Sequence, residues 1–163
     1  MASTPSPDTV LTSLAGEARP LEEWLTMFHL ASVVLDPFTN ESAWILKTAA
    51  RILDSFRGCD ARVNFVVTGT KAEAHQFLGP LTDDFLVFAD PDRIFVKQLG
   101  LATLPAFVFV RSDGMVPASA EGWNAAEWRK VAGLIATTCA WTSPYIPASG
   151  DPSPFQGTPA LAG

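Results

Sequence analysis

Cysteine and histidine are scarce in this sequence, and their spacing excludes most of the chemistry that they usually serve. The 163 residues include two cysteines, Cys59 and Cys139, which lie far apart in the chain. The sequence therefore contains neither a CxxC redox motif nor a zinc-ligand spacing. His29 and His75 have no second ligand at metal spacing either. We expect no bound metal and no cofactor.

Positive charge and long apolar runs are also lacking. Lysine and arginine total 11 against 17 aspartates and glutamates, which gives a formal net charge of −6. Nucleic-acid binding needs clustered basic residues, so nucleic acid is not an expected partner. No apolar run approaches the ~20 residues that span a bilayer, so we expect no membrane association. The opening residues lack the pattern of a secretion signal, which favours a cytoplasmic location.

The sequence does contain enough apolar material for one folded domain. Hydrophobic residues make up 48% of the chain, which is typical of a globular protein. We predict a flexible N-terminal extension over residues 1–19, with a weak helical turn at 9–19. The folded domain is expected over residues 20–140. Residues 141–163 are rich in proline and glycine, which predicts an extended tail, either loose or laid across the domain.

The apolar periodicity predicts an α/β fold. Strand-like and helix-like segments follow one another in the order β-α-β-α-β-α-β-β-α. Helices between strands favour a mainly parallel sheet, and a late hairpin around residues 111–114 adds antiparallel strands. We therefore predict a three-layer α/β/α domain with a central mixed sheet and an N-terminal helical extension. The helical stripes predict many residues that point into the core, and four of them are Trp24, Trp44, Ile94 and Trp128.

Residues 88–114 read FADPDRIFVKQLGLATLPAFVFVRSDG and contain an ordered set of local features. An acid-Pro-Asp step, a short helix, a glycine, a Leu-Pro step, a strand and an Asp-Gly turn follow one another. This order resembles the thioredoxin superfamily, and within it the redoxin and peroxiredoxin-like branch. The resemblance extends from about residue 30 to residue 135. It implies a thioredoxin-like fold in which the Leu104–Pro105 bond is cis and lies against the start of the first core helix.

The chain departs from this family where the family carries its reactive cysteine. A peroxiredoxin would have Phe-Thr-x-x-Cys here, whereas this chain has Phe38, Thr39, Asn40, Glu41 and Ser42. The family chemistry needs a thiolate, and a serine hydroxyl does not ionise at neutral pH without a strong base. Cysteine-based redox catalysis at this position is therefore excluded, and we assign no catalytic residue.

Two interpretations of residues 39–42 follow. Thr39, Asn40 and Ser42 are good helix caps, which is a purely structural role. Alternatively, these residues and Glu41 form a groove together with Leu104 and Pro105. Such a groove would accept a peptide, a small anion or a thiol compound.

The two cysteines are expected at the other end of the domain. In the fold that the resemblance implies, the first core helix and the last helix both run away from the proline. Cys59 follows the end of the first, and Cys139 ends the second. The two thiols could approach each other, although a cytoplasmic setting favours free thiols.

The leading hypothesis is a redox-inactive binding or adaptor protein with a protein or peptide partner. The first alternative is a redoxin-like thiol oxidoreductase that acts through Cys59 or Cys139. The second is a structural subunit that oligomerises through a sheet edge or the tail. Four aromatic residues are candidates for an adhesive surface, namely Trp123, Trp141, Tyr145 and Phe155.

Overall fold

The computed structural model describes residues 2–161. Its strands are β1 (Val10–Ser13), β2 (Ala18–Pro20), β3 (His29–Leu35), β4 (Ala61–Val67), β5 (Leu86–Ala89), β6 (Thr103–Leu104), β7 (Ala106–Val110), β8 (Ala118–Glu121) and β9 (Thr158–Pro159). Its helices are α1 (Leu21–Trp24), α2 (Asn40–Trp44), α3 (Leu46–Asp54), α4 (Lys71–Leu78), α5 (Leu81–Asp84), α6 (Ile94–Leu99) and α7 (Ala125–Cys139).

A mixed sheet forms the centre of the domain. Within residues 2–161, seven strands pair in the order β2-β1-β5-β4-β3-β7-β8. β3, β4 and β5 are parallel, and β7, β8 and β1 add antiparallel pairs. The predicted mixed sheet with a late antiparallel hairpin is confirmed. The expectation of a mainly parallel sheet is wrong, because four of the six strand pairs of this sheet within residues 2–161 are antiparallel. The second arm of that hairpin, β8, lies at one edge of the sheet.

Alternate side chains of the central strands pack into two separate hydrophobic cores. Val33 and Phe65 lie in a cluster with the buried faces of α3, α4 and α7. Val34 and Val66 lie in a second cluster with α1 and α6. Helices therefore cover both faces of the sheet, which gives the predicted three-layer α/β/α architecture.

The N-terminal segment is a β-hairpin and not the predicted helical turn. β1 pairs antiparallel with β2 and also with β5. Leu11 and Ser13 are buried while Val10 is exposed, which is the two-residue period of a strand. Gly16 makes the turn with a φ of 96°, a conformation that favours glycine. The helical prediction is wrong because this short segment takes its conformation from the edge of β5, which is distant in sequence.

Two of those four predicted inward side chains are exposed. Trp24 and Trp128 are buried as predicted, but Trp44 is 56% exposed and Ile94 is 50% exposed. The predicted first core helix is interrupted at Ile45, which separates α2 from α3. The interruption shifts the helical phase, so Trp44 leaves the inward stripe. Ile94 opens α6, and the core contacts of that helix come from later residues.

Some aromatic candidates for an adhesive surface are buried, and others are exposed. Trp123 is 1% exposed and belongs to the core, so its surface assignment is wrong. Tyr145 is exposed, and Trp141 donates from its indole to the Ser55 carbonyl oxygen at 2.8 Å. The tail after Trp141 returns across the domain, and its last described residues pair with β6 through β9.

Candidate functional site

The two segments that the resemblance singles out meet at one end of the sheet. β3 and β7 pair as far as Val34 and Ala106, so the chain leaves β3 beside the residues that enter β7. The carboxyl ends of β4 and β5 lie at this same end because both run parallel to β3. We call this end the proline pole, and it comprises residues 36–42, 90–93, 102–105 and 155–160.

Asp36 joins several segments of the proline pole. Its buried carboxylate accepts a hydrogen bond from the Phe38 N–H at 2.9 Å and another from the Arg93 guanidinium at 3.2 Å. The same guanidinium donates to the Ala160 carbonyl oxygen in the tail. Arg93 is 9% exposed, so this ion pair is shielded from water and is strengthened by its hydrogen bonds. The pair therefore ties the end of β3 to the start of α6 and to the tail.

Ser42 occupies the position that the resemblance assigns to a peroxidatic cysteine. Its side chain is fully buried, and its hydroxyl oxygen accepts a 2.9 Å hydrogen bond from the Asp36 N–H. Within residues 2–161, neither His29 nor His75 hydrogen-bonds to Ser42. The Ser42 hydroxyl thus fastens α2 to the end of β3 and presents no surface to a ligand.

The neighbouring residues do not act as predicted helix caps. Thr39 is the N-cap of α2 by position, but its side chain makes no capping bond. Its hydroxyl instead donates to the Asp36 carbonyl oxygen at 3.3 Å. Asn40 is exposed and Glu41 is half-buried, so both remain accessible. α2 contains only five residues, which gives its N-terminus fewer aligned peptide dipoles than the long helix predicted from the sequence.

The loop before β7 can make contacts through its backbone groups, because the side chains at its centre are buried. The Leu104–Pro105 peptide bond is cis, and both residues are buried. One carboxylate oxygen of Glu121 accepts from the N–H groups of Ala102 and Thr103, both at 2.7 Å. Glu121 therefore positions the loop, which presents the backbone edge of β6 for strand pairing.

The tail of the chain already occupies that backbone edge. β6 and β9 pair antiparallel, and the Ala160 N–H donates to the Ala102 carbonyl oxygen at 2.9 Å. Further back, Phe155 and Trp123 exchange two backbone hydrogen bonds of 2.9 and 3.0 Å. A segment of extended peptide therefore lies along the proline pole in this structure.

A cleft of 330 Å³ opens at the carboxyl ends of the parallel strands. Thr68, Glu73 and Arg93 contribute to its lining, together with Asp36. Phe38 also lines it and is 65% exposed. Clefts at the carboxyl ends of parallel strands are frequent ligand sites in α/β proteins.

The Asp90 carboxylate hydrogen-bonds to the first turn of α6. It accepts from the N–H groups of Phe95 and Val96 at 3.1 and 3.2 Å. Burial raises the pKa of Asp90 above its ordinary value, and these backbone hydrogen bonds oppose the rise. The carboxylate is therefore committed to the first turn of α6.

Both cysteines lie at the opposite end of the sheet. Cys59 follows α3 and precedes β4, whose first residue pairs with His29 at the start of β3. α7 begins near the proline pole, where the Gly122 N–H donates to the Pro105 carbonyl oxygen at 2.8 Å. Its 15 residues then run ~22 Å before ending at Cys139.

The two thiols are neighbours at that end, and Cys139 is poorly suited to nucleophilic chemistry. Both are partly buried and free. Burial, and then the adjacent Cys59 thiol, raise the pKa of Cys139 to about 11. A thiol with this pKa is almost entirely protonated at neutral pH, and the thiolate is the reactive form.

No protein-family model matches the sequence, and no curated protein matches it. Solved structures do match. One is a secreted Mycobacterium tuberculosis disulfide oxidoreductase homologous to E. coli DsbE, with a TM-score of 0.62 and 17% identity over 80% of this chain and 96% of that one. Another is peroxiredoxin Q of Xanthomonas campestris, with a TM-score of 0.64 and 12% identity over 82% and 91%. A hypothetical protein of Sinorhizobium meliloti 1021 has a TM-score of 0.65 and 15% identity over 99% and 94%.

The chain has a thioredoxin-like fold. The similar structures include both disulfide oxidoreductases and peroxiredoxins, so the predicted resemblance to the redoxin-like branch is confirmed at the level of the fold. Within residues 2–161, no helix of this thioredoxin-like domain is long and apolar enough to cross a membrane. One of the similar proteins is secreted, and the cytoplasmic location of this chain stays a prediction.

Several residues of the proline pole escaped the sequence-based prediction. Arg93 follows an Asp-Pro-Asp step, but nothing in the sequence indicates its left-handed φ of 57° or its pairing with Asp36. Glu121 lies in a strand with no motif around it. Ala160 belongs to a Pro/Gly-rich tail whose contacts are set by the folded domain. Asp36 precedes a proline at the end of an apolar run, a pattern that indicates a break in the strand but no ion pair.

Proposed function

We propose that this thioredoxin-fold chain is a non-catalytic binding or adaptor protein that holds a protein or peptide partner at the proline pole. The observation that carries the proposal is the buried Ser42 hydroxyl, bonded to the Asp36 N–H where the redox family carries a thiolate. Without a thiolate, this pole has no group for disulfide exchange or for cysteine-based peroxide reduction. Its remaining features are suited to binding.

Three features of the proline pole support a protein or peptide partner. The backbone edge of β6 accepts an extended segment, which is the geometry of β-strand addition. Phe38 is a largely exposed aromatic residue, and aromatic residues are enriched in interfaces. Asn40 is exposed beside it and offers an amide for hydrogen bonding.

The thiol oxidoreductase alternative has one observation in its favour, the proximity of Cys59 and Cys139. The raised pKa of Cys139 opposes it, because a protonated thiol is a poor nucleophile. The alternative of a tail-built oligomer is less well supported, since the tail pairs with β6 of its own domain. The binding proposal therefore ranks first.

The redox part of the proposal is tested with two assays. Recombinant protein is assayed for insulin reduction with dithiothreitol and for hydrogen peroxide consumption. The matched control is the double variant Cys59→Ala/Cys139→Ala. We expect equal, background rates from both proteins. Turnover by the wild type clearly above that of the double variant would show that the chain is an enzyme.

The binding part is tested by co-purification from the native host followed by mass spectrometry. Phe38→Ala removes the exposed aromatic residue of the proline pole. Met27→Ala removes an exposed apolar side chain, 85% accessible, that precedes β3 at the opposite end. We expect the partner to be lost with Phe38→Ala and retained with Met27→Ala. A partner retained equally by both variants would place the interaction elsewhere on the chain.

A further inference from the structure

The tail segment on the proline pole, residues 155–160, is subject to tight steric limits. A Cβ atom added to Gly157 would lie 2.7 Å from the Leu104 carbonyl oxygen and 2.9 Å from the Thr103 Cβ. Real Cβ atoms do not make contacts this short with backbone, so only glycine fits at this position. The approach is close on a second side as well, because a Cβ on Gly122 would lie 2.9 Å from the Gly157 nitrogen.

Ala160 is the second position of the segment at which the fold limits the size of the side chain. Its side chain is fully buried in the cluster formed by α1 and α6 with the sheet. Its N–H donates to the Ala102 carbonyl oxygen, and its own carbonyl accepts from Arg93. With both backbone groups fixed, a larger side chain would have to displace packed neighbours.

Phe155 is the third point of contact. Its ring packs edge-on against Trp44 at a centroid distance of 5.5 Å, and Trp44 is itself largely exposed. Edge-to-face pairs of this kind add modestly to the energy of area burial. The proline pole therefore selects three positions of this segment. They are an aromatic residue at 155, a glycine at 157 and an alanine at 160, while the positions between them are not restricted.

The tail is anchored separately upstream of this segment. The Asp151 carboxylate accepts from Arg51 and from the Thr48 hydroxyl, both at 2.8 Å. Trp123 donates from its indole to the Pro152 carbonyl oxygen at 2.7 Å. These contacts keep the tail on the domain independently of residues 155–160, so that segment can leave the pole while remaining tethered.

We propose that residues 155–160 are a tethered, exchangeable occupant of a peptide-binding groove. The external partner is then an extended segment of another protein with the same pattern of aromatic, glycine and alanine positions. This inference rests on the proposed function, since it specifies what the proline pole binds. A tethered segment competes at an effective concentration of about millimolar, so the intact tail weakens the binding of any external segment.

The test uses a fluorescein-labelled peptide with the sequence SPFQGTPAL, which corresponds to residues 153–161, and fluorescence anisotropy. It is titrated with the full-length wild type, with Gly157→Val and with the matched control Gln156→Val. Gln156 is exposed, so a valine there leaves the tail seated. We expect the peptide to bind Gly157→Val at least tenfold more tightly than the other two proteins. A peptide with valine in place of the glycine should bind none of them.

Two results of the titration would overturn the proposal. One is equal binding of the peptide to all three proteins, and the other is equal binding of the glycine and valine peptides. Tail exchange between two copies, seen as a dimer that does not take up the peptide, would also overturn the choice of an external partner.

Hydrogen exchange on the unmodified wild type provides a test that does not depend on a folded variant. The amides of Phe155 and Ala160 should exchange at least tenfold faster than the amide of Val108 in the central strand β7. Equal rates would mean that the segment leaves only on global unfolding, which contradicts exchangeability. If the inference fails while the Phe38→Ala comparison succeeds, the proposed function stands with a different kind of partner.

Discussion

The Ser42 hydroxyl oxygen accepts a hydrogen bond from the Asp36 backbone N–H at 2.9 Å. Both residues are buried, so this contact is made away from solvent. Ser42 stands where the predicted resemblance places a peroxidatic cysteine. The contact therefore gives Ser42 a structural role, the attachment of α2 to the end of β3.

Ser42→Ala should lower the free energy of unfolding by about 1–3 kcal/mol. The variant removes the acceptor of a buried backbone N–H, and an unsatisfied buried donor carries a desolvation penalty. Urea denaturation followed by tryptophan fluorescence measures the change. Ser143→Ala, at an exposed position of the tail, is the matched control and should change little. Equal stability of the two variants would contradict the structural role of Ser42.

Glu121→Ala should destabilise the chain by roughly 1.5–3 kcal/mol, since hydrogen bonds to a charged acceptor are lost. The N–H groups of Ala102 and Thr103 share that acceptor in the wild type. Glu121→Gln keeps a carbonyl oxygen in the same place and should recover more than half of the loss. Chemical denaturation of both variants checks this, with exposed Glu22→Ala as the control. A glutamine variant as unstable as the alanine variant would argue against the role of this acceptor.

His29 should make stability fall in mildly acidic solution. Its Nδ1 accepts a 2.9 Å hydrogen bond from the Ser112 N–H. Burial lowers the pKa of His29 below 6.5, Asp60 opposes the shift and Arg111 adds to it. The unfolded state therefore binds the proton first as the pH falls. The stabilisation is complete above pH 6.5 and is lost as the pH drops through the folded-state pKa.

The measurement is the free energy of unfolding as a function of pH. His29→Gln should show a smaller decrease than the wild type as the pH falls below 6.5. His75→Gln removes the other, exposed histidine and controls for the general effect of losing an imidazole. If His29→Gln and the wild type lose stability in parallel, the assignment to His29 is wrong.

Cys139 should be alkylated slowly by iodoacetamide. With a pKa of about 11 instead of 9.0, its thiolate fraction near neutral pH is about 100-fold smaller than that of an ordinary thiol. The pH profile of the labelling rate in Cys59→Ala isolates this thiol. Its midpoint should fall below the wild-type value, because Cys59 contributes to the rise, yet stay above 9.0, because burial is the larger cause. A midpoint at or below 9.0 would revive the thiol oxidoreductase alternative.

Local pattern was sufficient for the central elements of the fold. The apolar run at β3 and the hairpin turn after β7 are specified by residues close together in sequence, and both appear as predicted. The N-terminal hairpin was missed because β1 is short and depends on an edge of β5 that is remote in the chain. Trp44 was placed in the core because periodicity assumes an unbroken helix, whereas the chain breaks at Ile45.

The candidate site was only partly accessible from the sequence. Ser42 and Pro105 were located through the order of neighbouring motifs, but their burial depends on how α2 and β7 pack. Arg93 could not be assigned, since its partners Asp36 and Ala160 are distant in sequence. The composition of the tail predicted an extended segment but none of its contacts, because such a segment takes its conformation from the surface on which it lies.

The sequence by itself determined the scarcity of cysteine, the serine at the position where the resemblance predicts a reactive cysteine, and the alternating pattern of an α/β domain. These follow from residue identity and from short-range periodicity. Only the tertiary structure decided that Ser42 is a buried hydrogen-bond acceptor, that the two thiols adjoin each other far from Pro105, and that the tail lies along β6. The reason is physical: burial, ion pairing and strand pairing join residues that are distant in the chain, and no local pattern encodes those distances.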